Sequence, residues 1–324
     1  MHVTEDRHEW LDHDRHGARG ERLRLDNVAG RLPGPLLEAG RILHQTIDEF
    51  LEDGAPRLAA ALAYYILIAM APLLLLAVTL ASALFERREV RDAILGAAWR
   101  FLGDEGAVVV DQMLIGIMGA RASGGITALG IAVALFGASA AFWHLQAAIN
   151  IAWGIRPRPE GIREFLRRRL LTFVLMLAIG VLLLVFLVFG TGFSDAIGAL
   201  LPTFRGMTWL TERAISIFGV AVLFAVVFKI LPDRRVDWRD TAVGALFTAV
   251  LFNVGSAALG LYLAHSSVGS LYGAAGSFAV LLVWLYYSTQ VFLFGAEFTH
   301  VWVTRRVERH PERSGRAQES SGEA

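Results

Sequence analysis

The stretch SFAVLLVWLYYSTQVFLFGAEFTH, residues 277–300, is an apolar run with a single acid, Glu297, near its end. A carboxylate in that position has three chemistries open to it. It can mark a membrane boundary, tie two helices through an ion pair, or carry a proton or cation along a pathway. Lys229, in FKILPDRR, is the one lysine of the chain and closes another apolar run at a similar depth. The plainer reading is that the two heads reach water or pair and lock their helices. The sharper one is a coupling carboxylate whose protonation changes during a transport cycle.

Other polar groups interrupt the apolar runs. FWHLQAAIN carries His144, Gln146 and Asn150, with Gln146 and Asn150 four apart on one helix face. Asn253, Ser256, Ser277, Ser288, Thr289 and Gln290 stand in two later runs. Such groups hydrogen-bond between helices or line a polar cavity. His144 alone makes no metal site, and HEWLDHDRH at 8–16 reads as a solvated charged tail. There is no glycine-rich phosphate loop, nucleophile elbow or paired-carboxylate constellation outside the apolar runs. No catalytic residue, metal or cofactor is expected. The arginine runs lack aromatic platforms, so nucleic acid is not an expected partner.

The elements that must position these groups are membrane helices. The chain is 55 % hydrophobic and 19 % charged, and an apolar helix needs about 20 residues to cross a bilayer. Six runs meet that length, at 58–84, 126–152, 169–192, 214–231, 241–264 and 275–302. The expectation is an all-α, polytopic six-helix bundle over 58–303. A polar disordered tail (1–34) and an amphipathic juxtamembrane helix (35–57) precede it, and a C-terminal tail (304–324) follows. Leu36, Leu37, Leu43, Ile47, Phe50 and Leu51 form the apolar side of that helix, with acids largely between them. The 86–123 connection reads as short helices resting at the interface. Pro72 should kink span one by removing a backbone donor, and Gly269, Gly273 and Gly276 allow close backbone approach before span six. With no cysteine in the chain, disulfides and thiolate metal sites are excluded.

Arginine placement sets orientation. Arg156, Arg158, Arg163, Arg167, Arg168 and Arg169 flank the second connection between spans, Lys229, Arg234, Arg235 and Arg239 the fourth, and Arg305, Arg306 and Arg309 the C-terminus. The fifth connection is uncharged, so both termini are expected in the cytoplasm. No cleavable leader is visible, and the first span is expected to direct insertion.

From about Ile42 to Val303 the chain resembles the YihY/BrkB family of bacterial inner-membrane proteins, once mislabelled ribonuclease BN. AAALAYYILIAMAPLLL, FWHLQAAINIAWGIRPRP, FKILPDRRVDWRDTAVGAL, LYGAAGSF and VWLYYSTQVFLFGAEF carry the resemblance in this order. It implies six helices with cytoplasmic ends, multi-pass in the inner membrane, and no established activity. Ala69 stands where the family usually has serine and Phe228 where it often has tyrosine, which weakens span one as a cavity wall. Two functional readings stay open. One is a transporter or exporter of a small or envelope-related solute. The other is a non-transporting scaffold or envelope-assembly factor. Ribonuclease activity is set aside. The lipid bilayer is the expected partner, and a homo-oligomer is left open.

Overall fold

A computed structural model describes residues 34–82, 85–119, 142–155, 208–234, 236–265 and 276–309. All regular structure among them is helical. Span three, the first part of span two, residues 1–33 and 310–324 and the glycines Gly269 and Gly273 lie outside the described residues, while 304–309 of the expected C-terminal tail continue the last helix. Residues 1–47 and 48–324 form two compact units, and the packing below belongs to the second.

Helix α1 (Gly34–Glu52) leaves Leu43, Ile47 and Leu51 exposed at successive turns, while Ile42 and Thr46 are buried. It stops at Gly54, whose φ of +63° suits glycine alone at low cost. Gly54 donates to the Leu51 carbonyl, and its own carbonyl accepts from Arg57 and Leu58. One residue thus ends α1 and starts α2 (Ala55–Ala81), which continues as helix through Pro72.

Helix α3 (Arg87–Gly119) occupies the connection expected to hold short helices. It cannot be straight. Twenty residues of helix span about 30 Å, yet Arg91 Nη2 lies 2.6 Å from Asp111 Oδ1. The element therefore folds back on itself as a helical hairpin. Val90, Ala98, Ala107, Val110 and Leu114 then share one apolar cluster with Val78 and Ala81 of α2.

Helix α4, described over 142–152, ends in a glycine cap: Gly154 (φ +60°) donates to Ile151 and Ile155 to Asn150. Helices α5 (Thr208–Ile230), α6 (Trp238–His265) and α7 (Gly276–Arg309) complete the described chain. The main core gathers side chains from α2, α4, α5, α6 and α7 around Phe224, Phe228 and Phe292. Helix α7 packs on α2, α3 and α6, and so stands between the other elements.

Among the described residues three helices are long and apolar enough to cross a membrane: Ala55–Thr79, Trp238–Leu263 and Gly276–Glu308. Gly106–Gly119 and Ile217–Ile230 are shorter apolar stretches.

The α6–α7 contact has a sequence basis. GALFT (244–248) and GAEFT (295–299) repeat one pattern, and the two copies meet head to tail. A Cβ on Gly244 would fall 1.9 Å from Thr299 Oγ1, and one on Gly295 2.0 Å from Thr248 Oγ1. Each glycine is the socket for the other copy's threonine. Thr248 donates to the Gly244 carbonyl (2.7 Å) and Thr299 to the Gly295 carbonyl (2.6 Å), so neither hydroxyl is left unmet in the apolar seam. Phe247 stacks on Phe298 with centroids 3.9 Å apart. Further along, Tyr287 fills the space over Gly255 and donates to the Leu251 and Phe252 carbonyls.

Candidate functional site

Glu297 occupies the middle of the α7 copy, GAEFT, and is 1 % exposed. Its neighbours Ala296 and Val301 are fully buried. Helix α7 is fixed there from two sides: by the seam with α6, and by Thr289, which donates 2.9 Å to the Ala59 carbonyl of α2. Gln290, half-buried, stands two turns before Glu297 on the same face.

The groups acting on Glu297 are acids. Asp53 is within hydrogen-bonding reach, and Glu49 is close enough to act through its charge. Both come from the end of α1 and the turn after it. Glu297 Oε1 is buried and has no protein partner. His300, one turn on, feels Glu49, Asp53 and Arg234, and Trp153 of the α4 cap meets its ring edge-on at 5.4 Å. The Trp153 indole N–H and His300 Nδ1 are likewise buried without a partner. A carboxylate held this way, in a helix suited to the bilayer, costs several kcal/mol as a bare ion (about 3 on insertion scales). A proton or a bound cation on it relieves that cost.

Lys229 is engaged elsewhere. Its ammonium donates to the Val236 carbonyl and lies 5.3 Å from the centre of the Trp238 ring, closing the LPDRRV connection between α5 and α6. At the C-terminal end of α5 its charge also meets the negative end of the helix dipole. The expected Glu297–Lys229 tie is thus replaced by two local arrangements, because the connection folds back over its own lysine.

The remaining polar candidates sit apart from Glu297. Asn150 donates to Asp233 Oδ2 (2.9 Å) and accepts from the Asp233 amide (3.1 Å), while Gln146 reaches the Leu231 carbonyl and Asp233 Oδ1 at 3.4 Å. The two amides on one face of α4 therefore clamp the α5–α6 connection. Asn253 donates to Ala249 in its own helix. His144 stacks on Tyr65 with centroids 3.7 Å apart. Among the described residues no group of three His, Cys, Asp or Glu side chains is placed to hold a metal ion. Pro72 lies within α2 and Gly276 opens α7, buried.

Glu49, Asp53 and His300 do not stand out in the sequence, nor does the Asp240–Arg306 pair that joins the start of α6 to the end of α7. Two signals were available: Glu-x-x-His at 297–300 places both groups on one helix face, and the repeated GAxFT pattern singles out Glu297 as its one odd residue.

The pattern of a family described as Virulence factor BrkB matches residues 46–320, most of the chain. The chain belongs to that family. It is 30 % identical over 285 residues to a UPF0761 membrane protein of Rhodospirillum centenum, covering 85 % of this chain and 60 % of the relative. A UPF0761 membrane protein of Azotobacter vinelandii is 30 % identical over 82 % of this chain and 64 % of its own length. One from Pseudoalteromonas translucida is 26 % identical, with 83 % and 88 % covered. The chain thus spans less than two thirds of the first two relatives. No solved structure matches it. This BrkB-family chain is a helical, multi-pass membrane protein.

Proposed function

We propose that this BrkB-family protein is a transporter or exporter of a small or envelope-related solute, with Glu297 as its proton-exchanging carboxylate. In this reading it crosses the bacterial inner membrane six times with both termini in the cytoplasm. One observation carries it: a carboxylate 1 % exposed on a membrane-length helix, with one oxygen unpartnered and acids for neighbours. A structural ion pair would have supplied a cation. A group that must gain and lose a proton is better served by neighbours that make its charge conditional.

A second reading, a non-transporting scaffold or envelope-assembly factor, is favoured by the clamp of Gln146 and Asn150 on Asp233 and by the intrahelical bond of Asn253. These amides act as helix ties.

The test is proton movement into proteoliposomes loaded with a pH-sensitive dye, comparing the native protein with Glu297→Gln. Loss of flux in a variant that folds normally supports transport, and equal flux removes Glu297 from coupling. Single cysteines at Gln146, Asn253 and Gln290 supply an independent reading. Labelling of Gln290→Cys by impermeant thiol reagents marks a water path beside Glu297. Protection of all three marks a sealed bundle and favours the scaffold.

A further inference from the structure

Four aromatic side chains meet where α2 touches α4: Tyr64 and Tyr65 from the first, Trp143 and His144 from the second. Tyr65 and His144 stack, with centroids 3.7 Å apart and planes within 10°. A further ring stands nearly upright against each member of the stack, Tyr64 against Tyr65 (5.8 Å, 69°) and Trp143 against His144 (4.9 Å, 74°). The stack is half-buried, but the two upright rings are open, Tyr64 57 % and Trp143 50 % exposed. Among the described residues nothing hydrogen-bonds to any of the four. Their depth sets them apart from ordinary anchors. Tyr65 lies near the middle of the membrane-length stretch Ala55–Thr79, and the stack holds His144 and Trp143 at the same level. Tyrosine and tryptophan favour the membrane interface, where the ring meets apolar groups and the polar atom meets water. Open rings with polar heads at mid-depth suit lipid tails poorly. They suit a crevice that a polar or charged guest enters.

The walls select among guests. The cluster offers π faces, two phenol oxygens and an imidazole, with no carboxylate, ammonium or guanidinium. A metal ion finds no ligand set there and an anion no cation. A cation with apolar substituents finds ring faces of negative potential, and the exposed Ala61 and Ile68, on the same side of α2 as Tyr64, are apolar surface for the substituents. We propose that Tyr64, Tyr65, Trp143 and His144 form a binding site for an organic ammonium ion, whose charge lies against the open faces of Tyr64 and Trp143. The site is separate from Glu297. Helices α2 and α7 run antiparallel, since Ala59 meets Thr289 while Ala63 and Leu67 share a cluster with Leu281 and Leu285. Tyr65 therefore stands level with the residues just before Leu285, about 20 Å along α7 from Glu297. As a binding site the cluster needs nothing from that carboxylate, whereas its role as the site of the transported solute rests on the transport reading.

The test is equilibrium binding of radiolabelled benzyltrimethylammonium to the full chain purified in detergent. Two competitors that differ in charge but not in shape, choline and 3,3-dimethylbutan-1-ol, separate cation recognition from simple apolar binding. The expected result is saturable binding that choline displaces at least about tenfold better than the alcohol. Trp143→Ala and Tyr64→Ala should each weaken binding by about tenfold, and Trp143→Phe, which keeps a face of weaker potential, by less. Both side chains are exposed, so these variants should fold, and an unchanged unfolding temperature checks that they do. Absence of saturable binding overturns the site. Equal displacement by the alcohol does so too, since it marks an apolar crevice only. Unchanged affinity in both alanine variants would place the guest elsewhere and overturn the assignment. Uptake of the same label into proteoliposomes, measured beside proton flux, keeps the two readings apart. Binding without uptake or flux leaves the site standing and removes transport, whereas proton flux without binding does the reverse.

Discussion

The two GAxFT copies place identical residues at four of five positions and pack against each other by the same contacts, but their middle residues meet opposite surroundings. Leu246, in the α6 copy, is 53 % exposed and Glu297, in the α7 copy, is 1 % exposed. A leucine faces outward where an acid could have met water or lipid headgroups, and the acid faces inward where a leucine would pack. Local sequence and the seam cannot produce that difference, since both are shared. It arises from what lies beyond the pair: α7 is also packed by α2 and by the end of α1, while among the described residues that side of α6 is left open.

Exchanging the odd residues tests the comparison most severely. Leu246→Glu puts a carboxylate on the outward face of a membrane-length helix, a cost of about 2.5–3.5 kcal/mol on insertion scales. The expected outcome is poor insertion, seen as loss of membrane-integrated protein on expression. Breaking the shared contacts comes next. Gly244→Ala and Gly295→Ala should each destabilise by about 1–3 kcal/mol through overpacking, read as a fall in thermal unfolding temperature in detergent. Because the seam is reciprocal, the two losses should be alike. Thr299→Gly should rescue the first and Thr248→Gly the second. Unequal losses or crossed rescue would mean that the copies are not equivalent.

A smaller effect is expected away from the seam. Asn150→Ala removes the group that bonds Asp233 Oδ2 and the Asp233 amide, while Gln146 stays on Oδ1. It should cost about 1–2 kcal/mol while sparing proton flux if the amide is only a tie. The smallest stability change belongs to the most buried acid among the described residues. Glu297→Leu, which makes the two copies identical as GALFT, should be neutral or slightly stabilising, since an apolar side chain of similar size replaces a buried carboxyl group with one unpartnered oxygen. Flux should nevertheless be lost. A strong drop in stability would instead assign Glu297 to the architecture.

Much of the helical framework could be read in advance because its cause is local. The apolar runs at 58–84, 241–264 and 275–302 correspond to α2, α6 and α7, as hydropathy over about 20 residues is a property of the run itself. The 86–123 connection was harder. Its mixed polarity suggested short helices, but the return that brings Arg91 to Asp111 joins residues whose spacing alone does not bring them together. The site was half legible. Glu297 stood out by type and place, but its neighbours did not, because the acids of α1 look like an ordinary solvated face until the turn at Gly54 delivers Glu49 and Asp53 to α7. Lys229 had the right charge and depth for Glu297, and lost it to a carbonyl seven residues on.

The amino-acid sequence by itself determined that this is a helical membrane protein of the BrkB family, that α6 and α7 can close-pack through glycine and threonine, and that Glu297 is the acid to explain. These follow from hydropathy, side-chain size and residue order, which act over a few helical turns. Only the tertiary structure decided that Glu297 faces acids and that Asn150 and Gln146 grip Asp233. Charge partners are chosen by three-dimensional proximity, and proximity is set when the helices pack.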